Sequence, residues 1–172
     1  MSKTILLAVD TAHRDLDEHV SAAVEMIKDL VHADDRVVVL HVHEFAIGRF
    51  GRIQVDCAEG QGEQLVSDIV ARLGSAGVKA EGSIREADYG HVARRIVAEA
   101  ENAGARMLVL GSSSRTDLPR VPFGSVSSRL LHIASLPVMI VPMHKTEKAP
   151  AQTGVSVEVD AGTPAQDAAL AD

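Results

Sequence analysis

Two short groups of small residues are the part of this chain best suited to chemistry. The first is Gly111-Ser112-Ser113-Ser114-Arg115-Thr116. The second, past Pro122-Phe123, is Gly124-Ser125-Val126-Ser127. Before them, Arg106-Met107-Leu108-Val109-Leu110 reads as a buried strand. After them, Val126, Leu130, Leu131 and Ala134 recur at helical spacing. A small-residue loop therefore leaves a strand and enters a helix at Gly124-Ser125. Backbone N–H groups without helical partners converge there, with the positive end of the helix dipole behind them. Such a place suits an anion, most often a phosphate. Taken alone, the glycines serve equally well as turn devices.

Other reactive residue types carry weaker patterns. Asp10 ends an apolar run and either caps the following loop or meets a ligand. His41 and His43 alternate around Val42 and so share one face of a strand or its end. No further ligands stand at metal-site spacing, so both are read as solvent-facing and no metal is expected. His13, His19 and His32 sit among polar residues. Cys57 has no resolving partner nearby, which leaves a redox role without support. Arg115 and Arg120 either reach an anion or solvate a loop. Ser112-Ser113-Ser114 lacks the strand-to-helix elbow and the acid–base partners of a nucleophile. The Gly-Lys-Ser/Thr of a P-loop is absent from the whole chain, and the stretch after the first strand, Asp10-Thr11-Ala12-His13, is not glycine-rich. No enzyme activity is expected.

The elements that would position these residues alternate. Thr4 to Val9, Arg36 to Val42 and Arg106 to Leu110 are near-continuous apolar runs, the pattern of strands buried on both faces. Val78 to Ile84 is a weaker strand, and Pro137 to Val141 is the fifth. Between them, Leu16, Val20, Ala23, Val24, Ile27 and Leu30 follow a helical period, with Asp15 and Glu18 as an N-terminal capping pattern. Leu65, Val66, Ile69, Val70 and Leu73 mark a second helix, with Gly74 and Gly77 near its end. Val92, Ile96, Ala100 and Ala103 mark a third. Residues 43 to 58 have no clear period and read as a long loop. Strand–helix alternation without hairpins predicts an α/β fold, a doubly wound parallel sheet with helices on both faces. Ligands of such sheets sit beyond the carboxyl ends of the strands, where the winding reverses.

The chain has 172 residues and 2% aromatics, so the expected single domain must build its core from aliphatic side chains. One cysteine excludes an internal disulfide and suits a reducing, cytoplasmic setting. A net charge of -7 argues against nucleic acid and anionic membranes as partners, but not against one small nucleotide. No apolar run approaches a membrane span. The domain is expected over residues 1–143. Residues 144–172 turn to Ala, Pro, Gln, Thr, Gly and Asp and read as a polar, disordered tail. Val155-Ser156-Val157-Glu158-Val159 is its one strand-like stretch.

Across residues 3 to 143 the chain resembles the universal stress protein family. Nucleotide-binding members carry Gly, two residues, Gly, nine residues, then Gly and Ser or Thr. Here Gly111 is the first glycine, Ser114 replaces the second, and Gly124-Ser125 closes the pattern at the same spacing. The resemblance implies a five-stranded sheet in the order 3-2-1-4-5, with the crevice between the first and fourth strands. It implies ATP as ligand. Asp10 and Val42 would border adenine and ribose, and Leu110 would line the same pocket. Gly111, Ser114, Gly124, Ser125 and Val126 would hold the phosphates.

Two readings of function follow. One is a nucleotide-binding stress-response regulator. The other is a nucleotide-free stress protein acting through dimerisation and protein contacts. Both expect a homodimer, because Val138 to Val141 is an apolar sheet edge and related proteins pair there. A transferase of phosphoryl or nucleotidyl groups fits less well, for want of a phosphate cradle after the first strand.

Overall fold

The apolar runs form strands because helices cover them on both sides, leaving no face that must be polar. The structure, a computed structural model, describes residues 3–11, 16–112 and 125–142. In order, its elements are β1 (Thr4–Val9), α1 (Leu16–Leu30), β2 (Arg36–Gly48), β3 (Gly51–Gln54), α2 (Gln61–Ser75), β4 (Lys79–Asp88), α3 (Val92–Asn102), β5 (Ala105–Ser112), α4 (Ser125–Ile133) and β6 (Val138–Pro142). The expected cap at Asp15 and the tail from 144 lie outside the described residues.

All strand pairs are parallel except β2 with β3. Among the described residues the sheet has six strands, not five, and its order departs from 3-2-1-4-5. Hydrogen-bonded neighbours run β3-β2-β1-β5-β6, and β4 pairs with β2 off that path. The cause is a hairpin where a loop was expected. β2 continues through His43-Glu44-Phe45-Ala46-Ile47 to Gly48, turns at Arg49-Phe50, and returns as β3. Gly51 adopts φ 126°, a value that L side chains rarely take. The guanidinium of Arg52 lies 4.0 Å over the Phe45 ring and pairs with Glu86 on β4, which braces the hairpin.

Backbone direction fixes which edge β3 takes. Arg36 N–H donates to Lys3 O at 2.8 Å, so even-numbered residues of β2 face β1. Tyr89 N–H donates to Phe45 O at 2.8 Å, so odd-numbered ones face β4. At Glu44 the carbonyl accepts Val55 N–H at 2.8 Å. β3 therefore takes the β1 edge of β2, past the last β1–β2 pair, Val9 with His41.

Two cores follow from side-chain alternation. Ile5, Leu7, Val37, Val39 and Val109 pack with Val24 and Ile27 of α1 and Leu65, Ile69 and Leu73 of α2. Leu6, Ala8, Val38, Leu40, Val42, Leu108 and Leu110 pack with Ala93, Ile96 and Ala100 of α3 and Leu130 of α4. Each fully buried leucine or isoleucine contributes about 1.5–3 kcal/mol. On α4 the buried face is Ser127 and Leu130, whereas Val126 and Leu131 are exposed. The helical spacing of those residues was legible, but a nine-residue helix at the margin of the sheet buries only a narrow stripe.

Candidate functional site

Of the residues expected to hold a nucleotide, Val42 and Leu110 lie on the α3/α4 face of the sheet. Ala8 pairs with both Leu40 and Leu110, so these three stand side by side there. Val42 and Leu110 are buried, and both belong to the core on that face. Asp10 follows β1 directly and is exposed. Like Val42, it lies one residue beyond the pair Val9–His41. Gly111 differs from expectation. It does not open the loop but lies within β5, paired with Val141, and Ser112 pairs with Pro142. Two more ladder pairs extend the strand, because β6 runs on to Pro142 beside it. Ser125 opens α4 and Val126 follows, both exposed. Ser114 and Gly124 lie outside the described residues.

A second site was missed by sequence reasoning, on the opposite, α1/α2 face. His41 and His43 are not solvent-facing; they are 2% and 6% exposed. The hairpin returns Asp56 and Cys57 onto them. Asp56 Oδ2 lies 3.1 Å from His41 Nε2, 3.1 Å from His43 Nδ1 and 3.2 Å from Cys57 Sγ. Cys57 Sγ lies 3.9 Å from His41 Nε2 and 3.8 Å from His43 Nδ1. The four donor atoms all fall within 4.8 Å of one another.

Outer contacts hold each member. His41 Nδ1 meets Val9 O at 3.0 Å, and His43 Nε2 meets Glu63 Oε1 at 3.1 Å in the first turn of α2. Glu44 N–H donates to Asp56 Oδ1 at 3.1 Å. The Gln54 amide donates to Cys57 O at 3.3 Å and lies 3.4 Å from its sulfur and 2.9 Å from His43 Nδ1. Thr11 Oγ1 is buried and makes no well-formed hydrogen bond among the described residues. Its interaction with Cys57 is one that favours the thiolate.

Burial raises the Asp56 pKa, but hydrogen bonds from Cys57, His43 and Glu44 N–H outweigh it and bring the carboxyl down to about 2. Burial pulls His43 down, yet its bonds to Glu63 and Asp56 leave it net raised. Burial first, and the adjacent Asp56 second, push the Cys57 thiol up. A raised thiol pKa is the reverse of a reactive cysteine's. Each histidine ring stands between two oxygen acceptors, and a neutral imidazole has one N–H to give.

The missed signal was the hairpin. Gly48 and Gly51 bracket a two-residue turn, with Phe45 and Ile47 alternating before it and Ile53 and Val55 after it. That is a hairpin pattern. It folds the chain back so that Asp56-Cys57 faces His43 and His41.

The sequence profile of the Universal stress protein family matches residues 1–142. Nothing matches among curated proteins. The fold is similar to that of a universal stress protein from Archaeoglobus fulgidus, with a TM-score of 0.60 and 20% identity, covering 81% of this chain and 98% of that one. It is also similar to an Archaeoglobus fulgidus universal stress protein in complex with dAMP, with a TM-score of 0.52 and 20% identity, covering 80% of this chain and 96% of that one. A family protein from Arabidopsis thaliana with AMP bound gives a TM-score of 0.57 and 18% identity, covering 87% of this chain and 97% of that one.

Proposed function

The chain belongs to the universal stress protein family, and we propose that it binds an adenine nucleotide, ATP in the first instance, and acts as a homodimeric stress-response regulator rather than as an enzyme. One observation carries this reading. Asp10, Val42 and Leu110 gather around the carboxyl end of β1, with Val42 and Leu110 on the face that α3 and α4 cover. Such an end of a parallel sheet is where this class of fold takes its ligands. Val42 and Leu110 offer apolar contact to a purine. The Asp10 carboxylate is an acceptor for a ribose hydroxyl or an amino group. The α4 N-terminus, with Gly124 and Ser125, supplies N–H donors to phosphates, and Gly111 and Ser114 complete the cradle. Similar folds with AMP and with dAMP bound support the choice of nucleotide class.

The dimer would form through β6. That strand ends the hydrogen-bonded path of the sheet, and its Val138 to Val141 sequence is apolar. An edge of this kind favours pairing with a second copy across a two-fold axis.

Equilibrium binding of labelled ATP to the purified chain, with sedimentation at micromolar concentration, tests both parts. Saturable binding weakened by Asp10→Ala, on a dimer, is the expected result. A dimer without saturable binding would favour the nucleotide-free reading, in which the protein acts through partner contacts alone.

A further inference from the structure

We propose that His41, His43, Asp56 and Cys57 form a binding site for a divalent transition-metal ion, with zinc as the ion that best fits this donor set. The site stands apart from the nucleotide reading, since it lies on the opposite face of the sheet. Two imidazoles, one carboxylate and one thiolate are ligands zinc takes, and four protein donors make a closed tetrahedral site. Ligands about 2.0–2.3 Å from zinc stand about 3.3–3.7 Å apart in a tetrahedron. Five of the six separations among these donor atoms are 3.1, 3.1, 3.2, 3.8 and 3.9 Å, and all six fall within 4.8 Å.

The surroundings are those of a metal site. The outward nitrogen of each histidine meets an acceptor: Val9 O for His41 and Glu63 Oε1 for His43. Those acceptors hold the N–H outward, which turns the lone pairs of His41 Nε2 and His43 Nδ1 inward. A carboxylate or a backbone carbonyl in this position is the usual outer support of a ligating histidine. The inward lone pair of His41 Nε2 then faces the oxygen of Asp56, an arrangement of acceptors that a cation resolves, and that of His43 Nδ1 faces the same oxygen and the Gln54 amide, which the ion would replace. Thr11 Oγ1, buried and without a well-formed bond, and the Gln54 amide are placed to donate to a thiolate at Cys57. Metal uptake displaces the Cys57 proton to solvent.

With four protein ligands the ion leaves no open position for substrate. Its effect is to pin the return of the β2–β3 hairpin to β2, beside the first turn of α2. Metal binding then becomes part of the folding free energy.

The test is titration of the chelator-treated, full-length protein with cobalt, followed by competition with zinc. One equivalent of cobalt is expected to give tetrahedral d–d bands and a thiolate charge-transfer band that zinc abolishes. Cys57 is the chain's single cysteine, so Cys57→Ser must remove the charge-transfer band. Glu63→Gln alters a half-exposed outer residue and is expected to weaken zinc by about 10–100-fold at unchanged stoichiometry. Zinc should raise the melting midpoint of the wild type. Absence of a cobalt spectrum at equimolar metal, persistence of the charge-transfer band in Cys57→Ser, or full zinc affinity in Glu63→Gln would overturn the proposal.

Discussion

Gly62 of α2 sits directly against His41. A Cβ at position 62 would meet His41 Cδ2, and would stand 2.8 Å from His41 Nε2 and 2.7 Å from His43 Cε1. The helix reaches the histidine pair only because this position has no side chain. Both rings are buried and tied to neighbours, so neither can swing aside cheaply.

Gly62→Ala is therefore expected to destabilise the protein. Overpacking costs about 1–3 kcal/mol, against which helix propensity returns up to about 1 kcal/mol. Gly74, in the same helix, has nothing within 4 Å of a built Cβ. Gly74→Ala should stabilise by up to about 1 kcal/mol. Urea unfolding of the two variants checks both signs. Equal effects would mean that the rings make room.

Adjacent leucines of α4 should behave oppositely. Leu130 is fully buried against the β1/β2/β5 face, whereas Leu131 is 48% exposed. Leu130→Ala is expected to cost about 2–5 kcal/mol, and Leu131→Ala about 0.5 kcal/mol or less. Denaturant midpoints at unchanged m-value measure the difference.

Acid should weaken the link between β1 and the turn before β2 through Asp35. Its buried carboxylate accepts N–H from His32 at 3.0 Å and from Lys3 at 2.9 Å. The His32 bond first, and the Lys3 bond second, hold its pKa below the ordinary 3.8. A lowered folded-state pKa contributes stability that is present above the unfolded value and lost as pH falls through the folded one. The melting midpoint of the wild type should thus drop on acidification below about pH 4. Asp35→Asn should start lower and lose less over the same range. Parallel acid profiles of the two proteins would show that Asp35 contributes nothing to the pH dependence.

Nucleotide binding should depend on Gly124, where the proposed cradle brings backbone close to a phosphate and a side chain would intrude. Gly124→Val is expected to lower ATP affinity at least tenfold, about 1.4 kcal/mol. The melting midpoint without ligand should stay unchanged. Calorimetry and thermal melts together read the two effects. Full ATP affinity in the valine variant would place the cradle elsewhere.

Much of the fold was legible because its determinants are local. Ile5-Leu6-Leu7-Ala8-Val9 and Val37-Val38-Val39-Leu40 announce strands covered on both faces, and the spacing of Leu65, Ile69 and Leu73 announces the helix that covers one of them. Of the residues proposed for a nucleotide, Gly111 and Gly124-Ser125 were named from the local strand–loop–helix pattern, the others only through a family pattern. Of these, Asp10, Val42 and Leu110 fall together at one strand end, and Gly111 falls inside β5.

The histidine cluster was not legible, for the same physical reason that the hairpin was not. Periodicity reports which face a side chain takes, and His41 and His43 were correctly set on one face. Whether that face meets water depends on what packs over it. Asp56 reaches His41 from 15 residues away and His43 from 13, while Glu63 reaches back 20. These contacts exist only because β3 occupies the edge of β2 that β1 vacates after Val9, and because Gly62 lets α2 approach. Strand and helix identity are encoded within a few residues of chain. The donor set is assembled by long-range pairing and close packing, which tertiary structure alone decides.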